Sequence, residues 1–545
     1  MFSRPFHYYF SYGILPSMKK KSLLAAGAQL SFLTLISRIL GLVRERTKAV
    51  FLGTSDLADA FGIAFMIPNL FRRLFAENSI SVAFIPTFKA YLETSDTPEG
   101  RTETQDFVNA TCTLVTFLTT VMVVLGICLT PFIIPLFYKE GNLSVLQETT
   151  LLTRIMFPYL LVISVAAFFQ GILNGLKIFV PSGFTPILFN FIVIAATYIL
   201  SPLMENPARA MAVGVITGGI VQAAFQLPFV LKGGWKVSLT SLKKAFSNPG
   251  TKKVLALVGP TVIGMAAYQL NDVVSTSLAG RAGTGVVSSL QYSLRLQELI
   301  LGICAVSIGT VILPDMAGLA KRQQWDEFSA MLTQSVKIIA LITIPITFFS
   351  LITGENVIAL VYKSKSFDTN SVALTLEAFT FHIAGLFFIA VNRIISPAFY
   401  AQGNTKSPAT AGIMGFAVNI LLALLLVAPM KGGGIALALT LASLANTIFL
   451  LIFLQRTKRF ALGSVVKGMV GYALKMVVLS VLASLPLLLL KDKIFGLFSF
   501  NNRILQEGLP LILCALIFAA VGVALLILTR DSLIQLIVKK LRRRI

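Results

Sequence analysis

Four arginines, Arg38, Arg44, Arg72 and Arg295, lie within long apolar stretches of this sequence. A charged side chain at the centre of a bilayer costs roughly 2.5–3.5 kcal/mol on insertion scales. If all four faced lipid, the cost would be on the order of 10 kcal/mol, comparable to the whole stability of a typical protein. Either these arginines lie near the membrane surface, or they line a wet cavity that receives an anion.

Carboxylates and a hydroxyl accompany the arginines at helical spacings. Glu45 lies seven residues after Arg38, Glu298 lies three residues after Arg295, and the Ser288 hydroxyl lies seven residues before Arg295. The functional interpretation is a cationic cavity that carboxylates partly neutralise. Arginine presents a planar fork, which fits a phosphate or diphosphate better than lysine does. The predicted cavity residues are Arg38, Arg44, Arg72, Arg295, Glu45, Asp59, Ser288 and Glu298.

A structural role is the competing explanation for several of these residues. Arg44 could snorkel to the outer interface, and Arg295 with its neighbouring glutamate could be an ion pair between helices. Arg73 is next to Arg72 and cannot face the same way, so one of the two is a surface or ion-pair residue. Arg38 is the hardest to explain structurally, since apolar runs flank it on both sides. The second rank of cavity candidates is Arg73, Glu77, Asn69, Arg154 and Arg393.

The composition indicates a polytopic membrane protein. Of the 545 residues, 56% are hydrophobic and 13% are charged, whereas soluble domains carry about 25% charged residues. About fourteen apolar runs reach the roughly 20 residues that a spanning helix needs. The predicted fold is therefore an all-α integral membrane protein with about fourteen transmembrane helices. The runs are approximately 23–52, 57–92, 107–138, 149–175, 182–201, 208–231, 252–280, 284–319, 328–362, 371–401, 408–429, 433–455, 466–490 and 508–530.

The second and eighth runs are long for one straight span. Pro68 and Pro86 are expected to break the second run, and Gly309 with Pro314 is expected to bend the eighth. Broken helices are tolerated in a membrane where they line a cavity. The expected breaks fall in two of the runs that carry the candidate arginines.

A faint internal repeat indicates two related halves. Pro86 and Pro314 are 228 residues apart in similar surroundings, and Pro181 and Pro408 are 227 residues apart. Repeats that face one another around a midplane site are typical of secondary transporters. The predicted divisions are an N-terminal extension (1–22), a six-helix lobe (23–231), a basic linker (232–251), a second six-helix lobe (252–455), two further helices (466–530) and a basic amphipathic tail (531–545).

Basic residues predict the orientation. The formal net charge is +23, and the basic clusters lie at Lys19–Lys21, after even-numbered spans and in the tail. The positive-inside rule places these segments and both termini in the cytoplasm, where they would contact anionic phospholipids. Nucleic acid does not explain the charge, because long apolar runs interrupt every basic cluster.

Motifs for enzymes, metals and cofactors are absent from the sequence. There is no GxxxxGK[ST] phosphate loop and no HExxH motif. His7 and His382 are the two histidines, so neither a Ser/His triad nor a metal cluster is expected. We expect no metal and no cofactor.

The run Ser37–Glu45 resembles the start of the MurJ/MviN family of lipid II flippases, which reads SR-x-LG-x-x-RD. Ile67–Glu77, Ala83–Pro86 and Tyr292–Glu298 continue the resemblance, and Gly309–Pro314 follows in register. The resemblance implies the fold of the multidrug/oligosaccharidyl-lipid/polysaccharide exporter superfamily. It also implies transport of undecaprenyl-diphosphate-linked disaccharide-pentapeptide from the inner to the outer leaflet.

The same resemblance implies roles for particular positions. Arginines that match the four named above line the family's central cavity, and the acidic position that matches Asp59 matters for function. The last two helices of the family form a groove suited to the lipid tail. In this chain they correspond to the runs 466–490 and 508–530.

Three positions depart from the family pattern. Glu45 replaces the usual Asp and keeps its charge, and Leu294 stands where Asp is frequent. Ser275 stands where some members have an Asp linked to cation binding, which puts a sodium site in doubt, although Asp272 is one turn away. The candidate ion-site residues are Asn271, Asp272, Ser275 and Asn419.

Together these features predict a multi-pass protein of the bacterial inner membrane that flips lipid II by alternating access. Transport would be driven by the membrane potential or an ion gradient, and cell-wall synthesis proteins are candidate partners. The alternatives are a flippase for another polyprenyl-diphosphate-linked glycan, a drug or cation antiporter, and a membrane scaffold or receptor that transports nothing. A membrane glycosyltransferase is disfavoured, because the loops hold no cluster of carboxylates. A drug antiporter would want acidic cavity residues, and the sequence points the other way.

Overall fold

The computed structural model describes residues 20–77, 80–139, 143–457, 459 and 462–535. The chain in these ranges is helical, without strands. Nearly all of the predicted N-terminal extension and most of the predicted basic tail lie outside the described residues. The helices are α1 (Lys20–Leu52), α2 (Asp56–Phe71), α3 (Ile85–Leu92), α4 (Pro98–Ile133), α5 (Leu143–Met156), α6 (Tyr159–Gly175), α7 (Val180–Leu200), α8 (Pro207–Lys232), α9 (Leu242–Ser247), α10 (Pro249–Ala282), α11 (Val286–Lys321), α12 (Trp325–Tyr362), α13 (Thr369–Ala384), α14 (Leu386–Ala401), α15 (Lys406–Arg456), α16 (Leu462–Gly496) and α17 (Arg503–Leu528).

Helix starts carry the residues that capping requires. The side chains of Ser55, Thr97, Asn206 and Asp368 each accept a hydrogen bond from the backbone N–H three residues later. Capping satisfies donors that have no partner within the helix. The all-helical architecture follows from the same requirement, since a backbone in hydrocarbon has to satisfy its polar groups internally.

Long apolar helices are numerous enough for a polytopic protein. Within the described chain, eight helical segments, one of them α5 together with α6, can cross a bilayer by length and composition, and α13 with α14, bent by 42°, adds a ninth. Helix α15 has 51 residues, about 76 Å at 1.5 Å per residue, which exceeds a hydrocarbon core of roughly 30 Å. Lys431 interrupts it with φ 44° and ψ −122°, between the predicted runs 408–429 and 433–455. The count of fourteen spans stays a prediction.

The expected break in the second run is present, and the expected bend in the eighth stays a prediction. Two π-helical segments, Arg72–Glu77 and Ile80–Phe84, separate α2 from α3. Helix α11, in contrast, continues through Gly309 and Pro314. A proline removes one backbone donor, and α11 is helical on both sides of Pro314 while it packs against α12, α13 and α14.

The helices pack in two groups joined by a bridging helix. In the first group (α1–α8), α7 packs on α1 and α8, and α2 packs on α5. In the second group (α11–α17), α11 packs on α13 and α14, and α12 packs on α16, which contacts α17. Helix α10 packs mainly on α15, while its Ser277 and Arg281 side chains donate to the Leu136 carbonyl of the first group at 2.6 and 3.0 Å. We call the end at Leu52 and Tyr362 the far end, and the end at Lys232 and Lys321 the near end.

Large apolar side chains cover the outside of the bundle. Phe132, Leu489 and Leu528 are examples, each at least 75% exposed. A water-soluble monomer rarely exposes so much continuous apolar surface. The outer surface therefore fits hydrocarbon, and polar contacts have to be sought inside the bundle.

Hydrogen bonds between the two groups close the far end. Both carboxylate oxygens of Asp59 in α2 accept backbone N–H groups at the start of α11, from Gly285 and Ser288, each at 2.7 Å. The hydroxyls of Thr54 and Ser371 lie 2.8 Å apart across the same boundary. A carboxylate at a helix N-terminus satisfies free donors and complements the helix dipole. Asp59 is therefore a clamp between the two groups.

The variant Asp59→Ala is expected to lower the melting temperature of the purified protein. Two buried N–H groups would lose their acceptor, at a cost of about 1–3 kcal/mol each. Thermal unfolding in detergent measures the effect. The matched control is Asp56→Ala in the same helical turn, whose carboxylate accepts the exposed Thr284 hydroxyl at 2.7 Å. Equal melting temperatures for the two variants would contradict the clamp.

Candidate functional site

A cavity of about 670 Å³ lies between the two helix groups. All four first-rank arginines line it, and so do several second-rank candidates. Six arginines and one glutamate line this cavity, so its lining is strongly cationic within the described chain. The predicted residues that line it are Arg38, Arg44, Asn69, Arg72, Arg73, Arg295, Glu298 and Arg393.

Helices α1 and α11 each extend an arginine side chain towards the other helix across the cavity. The Arg38 guanidinium of α1 lies against Gly302 of α11, where an added Cβ would overlap it. In return, the Arg295 guanidinium of α11 lies against Gly41 of α1, where an added Cβ would also overlap. The two glycines give each arginine room to reach the opposite group. The cavity therefore has arginines from both helix groups in its lining.

Two of the cavity arginines have a carboxylate on their own helix. Arg44 Nη2 lies 2.7 Å from Glu45 Oε1, and Arg295 Nη1 lies 3.3 Å from Glu298 Oε2. Arg44 lines the cavity and does not snorkel to an interface. The alternative of an Arg295–Glu298 pair between helices is wrong, because both residues lie on α11. Glu298 is 59% exposed, and an exposed pair of this kind contributes little stability.

Arg72 and Arg73 have different surroundings, as their adjacency requires. Arg72 Nε donates to Asn69 Oδ1 at 2.8 Å. Arg73 Nη1 lies 3.3 Å from Asp272 Oδ2 of α10, so Arg73 forms an ion pair with another helix. Both still line the cavity, since the π-helical segment that carries them runs along its wall.

Three predicted cavity residues lie outside the lining in this conformation. Asp59 and Ser288 belong to the far-end clamp, where Asp59 accepts the Ser288 backbone N–H. Glu45 lies behind Arg44 in a separate chamber of about 40 Å³. The sequence located these residues on the correct helices, but it could not show that backbone donors at the start of α11 would engage Asp59.

Two second-rank candidates also need correction or stay open. Arg154 is exposed on α5, where its Nε lies 3.4 Å from the Ile127 carbonyl, so it does not line the cavity. The reason is its position on the outward face of that helix. The Glu77 side chain lies outside the described residues.

Amide side chains that sequence reasoning did not select line the same cavity. Asn190 Nδ2 donates to the Ser37 carbonyl at 3.2 Å, and Gln170 completes the wall beside it. The Oε1 atoms of Gln222 and Gln226 are buried and make no hydrogen bond within the described chain. Their i, i+4 spacing in an apolar helix was the available signal. Such amides provide neutral hydrogen-bonding groups for a polar ligand.

Three of the four ion-site candidates come together between α10 and α15. Asn419 Nδ2 donates to Asn271 Oδ1 at 2.8 Å and lies 3.3 Å from Ser275 Oγ. Asp272 points instead to Arg73. The described cluster is therefore neutral, whereas hard cations prefer sites with carboxylate ligands.

The lipid-tail groove on the runs 466–490 and 508–530 stays a prediction, and the structure has an apolar groove on the first of them. Helices α16 and α17 pack together through a buried cluster that includes Leu487, Cys514 and Phe518. A groove of about 480 Å³ lies on another face of α16, bordered by α12, α14 and α15. Its lining is apolar apart from Thr347 and Thr447.

The protein is a membrane-embedded helical bundle. It has a cationic cavity between two helix groups, and direct contacts close one end of it. This is the architecture of a transporter and not of an enzyme. Comparison with known proteins gives the particular family. The family model described as "Lipid II flippase MurJ" matches residues 48–505. The chain belongs to the MurJ family of lipid II flippases.

Curated relatives support this assignment over most of the chain. The chain is 45% identical over 515 residues to "Probable lipid II flippase MurJ" of Treponema pallidum (strain Nichols), covering 94% of this chain and 97% of that protein. It is 31% identical over 429 residues to "Lipid II flippase MurJ" of Burkholderia cenocepacia, covering 78% and 82%.

Solved structures confirm the expected all-helical fold. One described as "Lipid II flippase MurJ, inward closed conformation" superposes with a TM-score of 0.72 at 26% identity, over 91% of this chain and 99% of that chain. An inward-facing multidrug resistance MATE family transporter of the MOP superfamily superposes with a TM-score of 0.65 at 15% identity, over 79% and 96%. The second likeness concerns the fold alone.

The variant Gly302→Ala is expected to weaken binding of inorganic diphosphate to the purified protein. The new methyl group displaces the Arg38 guanidinium, and loss of one charge-assisted hydrogen bond lowers affinity on the order of tenfold. Isothermal titration calorimetry measures the change. The control is Gly471→Ala in α16, where an added Cβ meets nothing within 4 Å. Unchanged affinity in Gly302→Ala would show that Arg38 does not need this space.

The variant Ser275→Asp is expected to give the neutral cluster an affinity for sodium. A carboxylate would join two amide oxygens, which is a ligand set that hard cations accept. The melting temperature of the variant should then rise in sodium chloride relative to choline chloride, and that of the parent should not. The control, Thr276→Asp, places the charge one residue further along α10. A sodium response in the parent would show that the neutral cluster binds the ion without a carboxylate.

Proposed function

We propose that this protein translocates lipid II, the undecaprenyl-diphosphate-linked disaccharide-pentapeptide, from the inner to the outer leaflet of the bacterial inner membrane by alternating access. The names of its curated relatives support the substrate. One observation carries the mechanism: arginines from both helix groups line one cavity. Guanidinium groups bind the oxygens of phosphates in pairs, so Arg38, Arg44, Arg72 and Arg295 clamp the diphosphate.

The transport cycle rocks the two predicted lobes, 23–231 and 252–455, around the clamped diphosphate. The far end is closed by the Asp59 clamp. The positive-inside rule identifies the near end, with Lys232 and Lys321, as the cytoplasmic end. The described conformation therefore receives substrate from the cytoplasmic side, and opening of the far end releases it outside.

The membrane potential drives the return of the empty transporter. Moving one elementary charge across 100 mV is worth about 2.3 kcal/mol, and an empty cavity lined by six arginines is drawn towards the negative cytoplasmic side. An ion gradient is the alternative drive, with Asn271, Ser275 and Asn419 as its site. The neutral character of that cluster favours the potential.

The lipid tail stays in hydrocarbon while the headgroup is in the cavity. The apolar groove of about 480 Å³ beside α16 is a place where part of the prenyl chain can lie without contact with water. Basic near-end residues contact anionic phospholipids of the cytoplasmic leaflet. Cell-wall synthesis proteins, which use the flipped substrate, are the proposed protein partners.

A flippase for another polyprenyl-diphosphate-linked glycan is the second candidate. The four arginines contact the diphosphate, which such lipids share. The amides of Gln222 and Gln226 would form hydrogen bonds with the sugar and peptide. Competition between lipid II and a polyprenyl diphosphate with a different glycan, measured on the purified protein, separates the two substrates. A scaffold that transports nothing would bind neither.

The variants Arg38→Gln, Arg44→Gln, Arg72→Gln and Arg295→Gln are each expected to abolish growth of bacteria depleted of the native copy. Removing one guanidinium leaves the diphosphate charge poorly compensated, which lowers the rate of transport by on the order of tenfold to a hundredfold. Viable counts after depletion, and flipping of lipid II in proteoliposomes, measure the two effects.

The matched control is Arg154→Gln, which removes an exposed arginine outside the cavity. It should support normal growth at the same membrane abundance. Normal growth of all four cavity variants would refute the clamp, and loss of growth in the control would show that the assay reports folding instead.

A further inference from the structure

We propose that Lys48, together with Arg44 and Gln291, forms a second anion subsite near the far end of the cavity. It is sealed in the present conformation and opens when the two helix groups part. Its ligand is the same lipid-linked diphosphate, which it receives from the central clamp before release. This inference rests on the proposed flippase function and adds a residue and a step to it.

Lys48 is a buried cation whose nearest polar partner is an amide. Its side chain is 3% exposed, and Nζ donates to Gln291 Oε1 at 2.7 Å. The ring centres of Tyr292 and Phe61 lie 5.1 and 5.9 Å from Nζ. No carboxylate of the described chain lies within ion-pair distance of it. Glu45 and Asp59 act on the Lys48 ammonium electrostatically over a longer distance, so its direct hydrogen bond is to an amide of the other helix group. Parting of the two groups therefore frees the ammonium from its acceptor.

The chamber that holds Lys48 adjoins the central cavity. It has a volume of about 40 Å³, and Glu45, Lys48 and Gln291 supply its polar groups beside Arg44. Arg44 and Phe65 line both the chamber and the cavity, so these two side chains form the partition. Arg44 and Lys48 are four residues apart, which places them on the same face of α1, about 6 Å apart along the axis.

Contacts between α11 and the first helix group keep the chamber closed. Gln291 of α11 packs directly on Gly62 of α2, where an added Cβ would lie 2.8 Å from the Gln291 amide. Three further contacts cross the same boundary between the helix groups. They are the Lys48–Gln291 hydrogen bond, the Asp59 clamp, and the hydrogen bond from Tyr292 Oη to the Gly53 carbonyl at 3.0 Å. Separation of α11 at the far end breaks all three contacts and removes the acceptor of Lys48.

The charges around the chamber make it ready for an anion once it opens. Glu45 pairs with Arg44 and also acts on Lys48, so the lining of the chamber, with Arg44, Lys48 and Glu45, has one positive charge in excess. Asp59 of α2 is the other carboxylate of this region, and its oxygens accept the α11 N–H groups while the clamp is closed. The cations Arg38, Arg44 and Lys48 then follow one another along α1 towards the far end. A diphosphate can pass along this series without leaving cationic contact.

The test compares three variants in proteoliposomes with lipid II that carries a dye on its peptide. Lys48→Gln should slow flipping about tenfold, because one charge-assisted contact is lost on the exit side. Lys48→Arg should keep at least about half of the parent rate, since the charge is retained. Gln291→Met breaks the closed-state bond but keeps the cation, so its rate should stay within about threefold of the parent. Equal slowing by Lys48→Gln and Gln291→Met would identify a far-end latch and overturn the subsite.

A disulfide across the far end provides the second readout. Thr54→Cys with Ser371→Cys replaces hydroxyls that lie 2.8 Å apart, in a chain whose native cysteines are changed to alanine. In the crosslinked protein, Lys48→Gln should bind undecaprenyl diphosphate with the parent affinity, because the chamber is sealed. Weaker binding there would mean that Lys48 acts on the closed cavity instead, which contradicts the proposal.

Arg38→Gln in the same assay separates this inference from the proposed function. If Arg38→Gln stops flipping and Lys48→Gln does not, the subsite is absent and the flippase function stands. If the parent protein and Arg38→Gln give the same flipping as empty vesicles, the proposed function itself fails.

Discussion

The arrangement of guanidinium groups between α1 and α11 is the constraint on which the rest of this structure depends. Arg38 reaches to Gly302 and Arg295 reaches to Gly41, so each helix group presents a cation to the other. Guanidinium groups that line one cavity repel each other strongly wherever the dielectric constant is low. The groups can therefore approach only around a wet cavity with nearby carboxylates or a bound anion. That requirement explains a polar interior in a protein whose surface is apolar.

The far end shows the opposite balance, because there the two groups attract. Asp59 satisfies two free N–H groups of α11, and hydroxyl contacts support the same closure. Hydrogen bonds between the groups at this end thus lie beside a central cavity whose lining is cationic. An anion that neutralised the centre would change this balance.

Polar and apolar compartments are kept apart in the structure. The cavity carries arginines and amides, whereas the groove beside α16 is almost wholly apolar. An amphiphilic lipid matches this separation, since its headgroup needs water and cations and its tail needs hydrocarbon. Lys48 extends the cationic side along α1 towards the far end, behind the Arg44 partition.

Sequence alone determined the membrane class, the helical fold and the arginines that define the site. These follow from local properties: apolar runs of spanning length, and charges too costly to face lipid. Tertiary structure decided which predicted residues share one space. It placed Asp59 and Ser288 in a clamp, Arg154 on the outer surface, and Asp272 on Arg73 instead of in the ion cluster. It also brought in Gln222, Gln226 and the buried Lys48. The reason is physical. The cost of burying a charge can be estimated from one segment of sequence. The partner that compensates a buried polar group comes from another helix, and only the packing of the helices determines which residue that partner is.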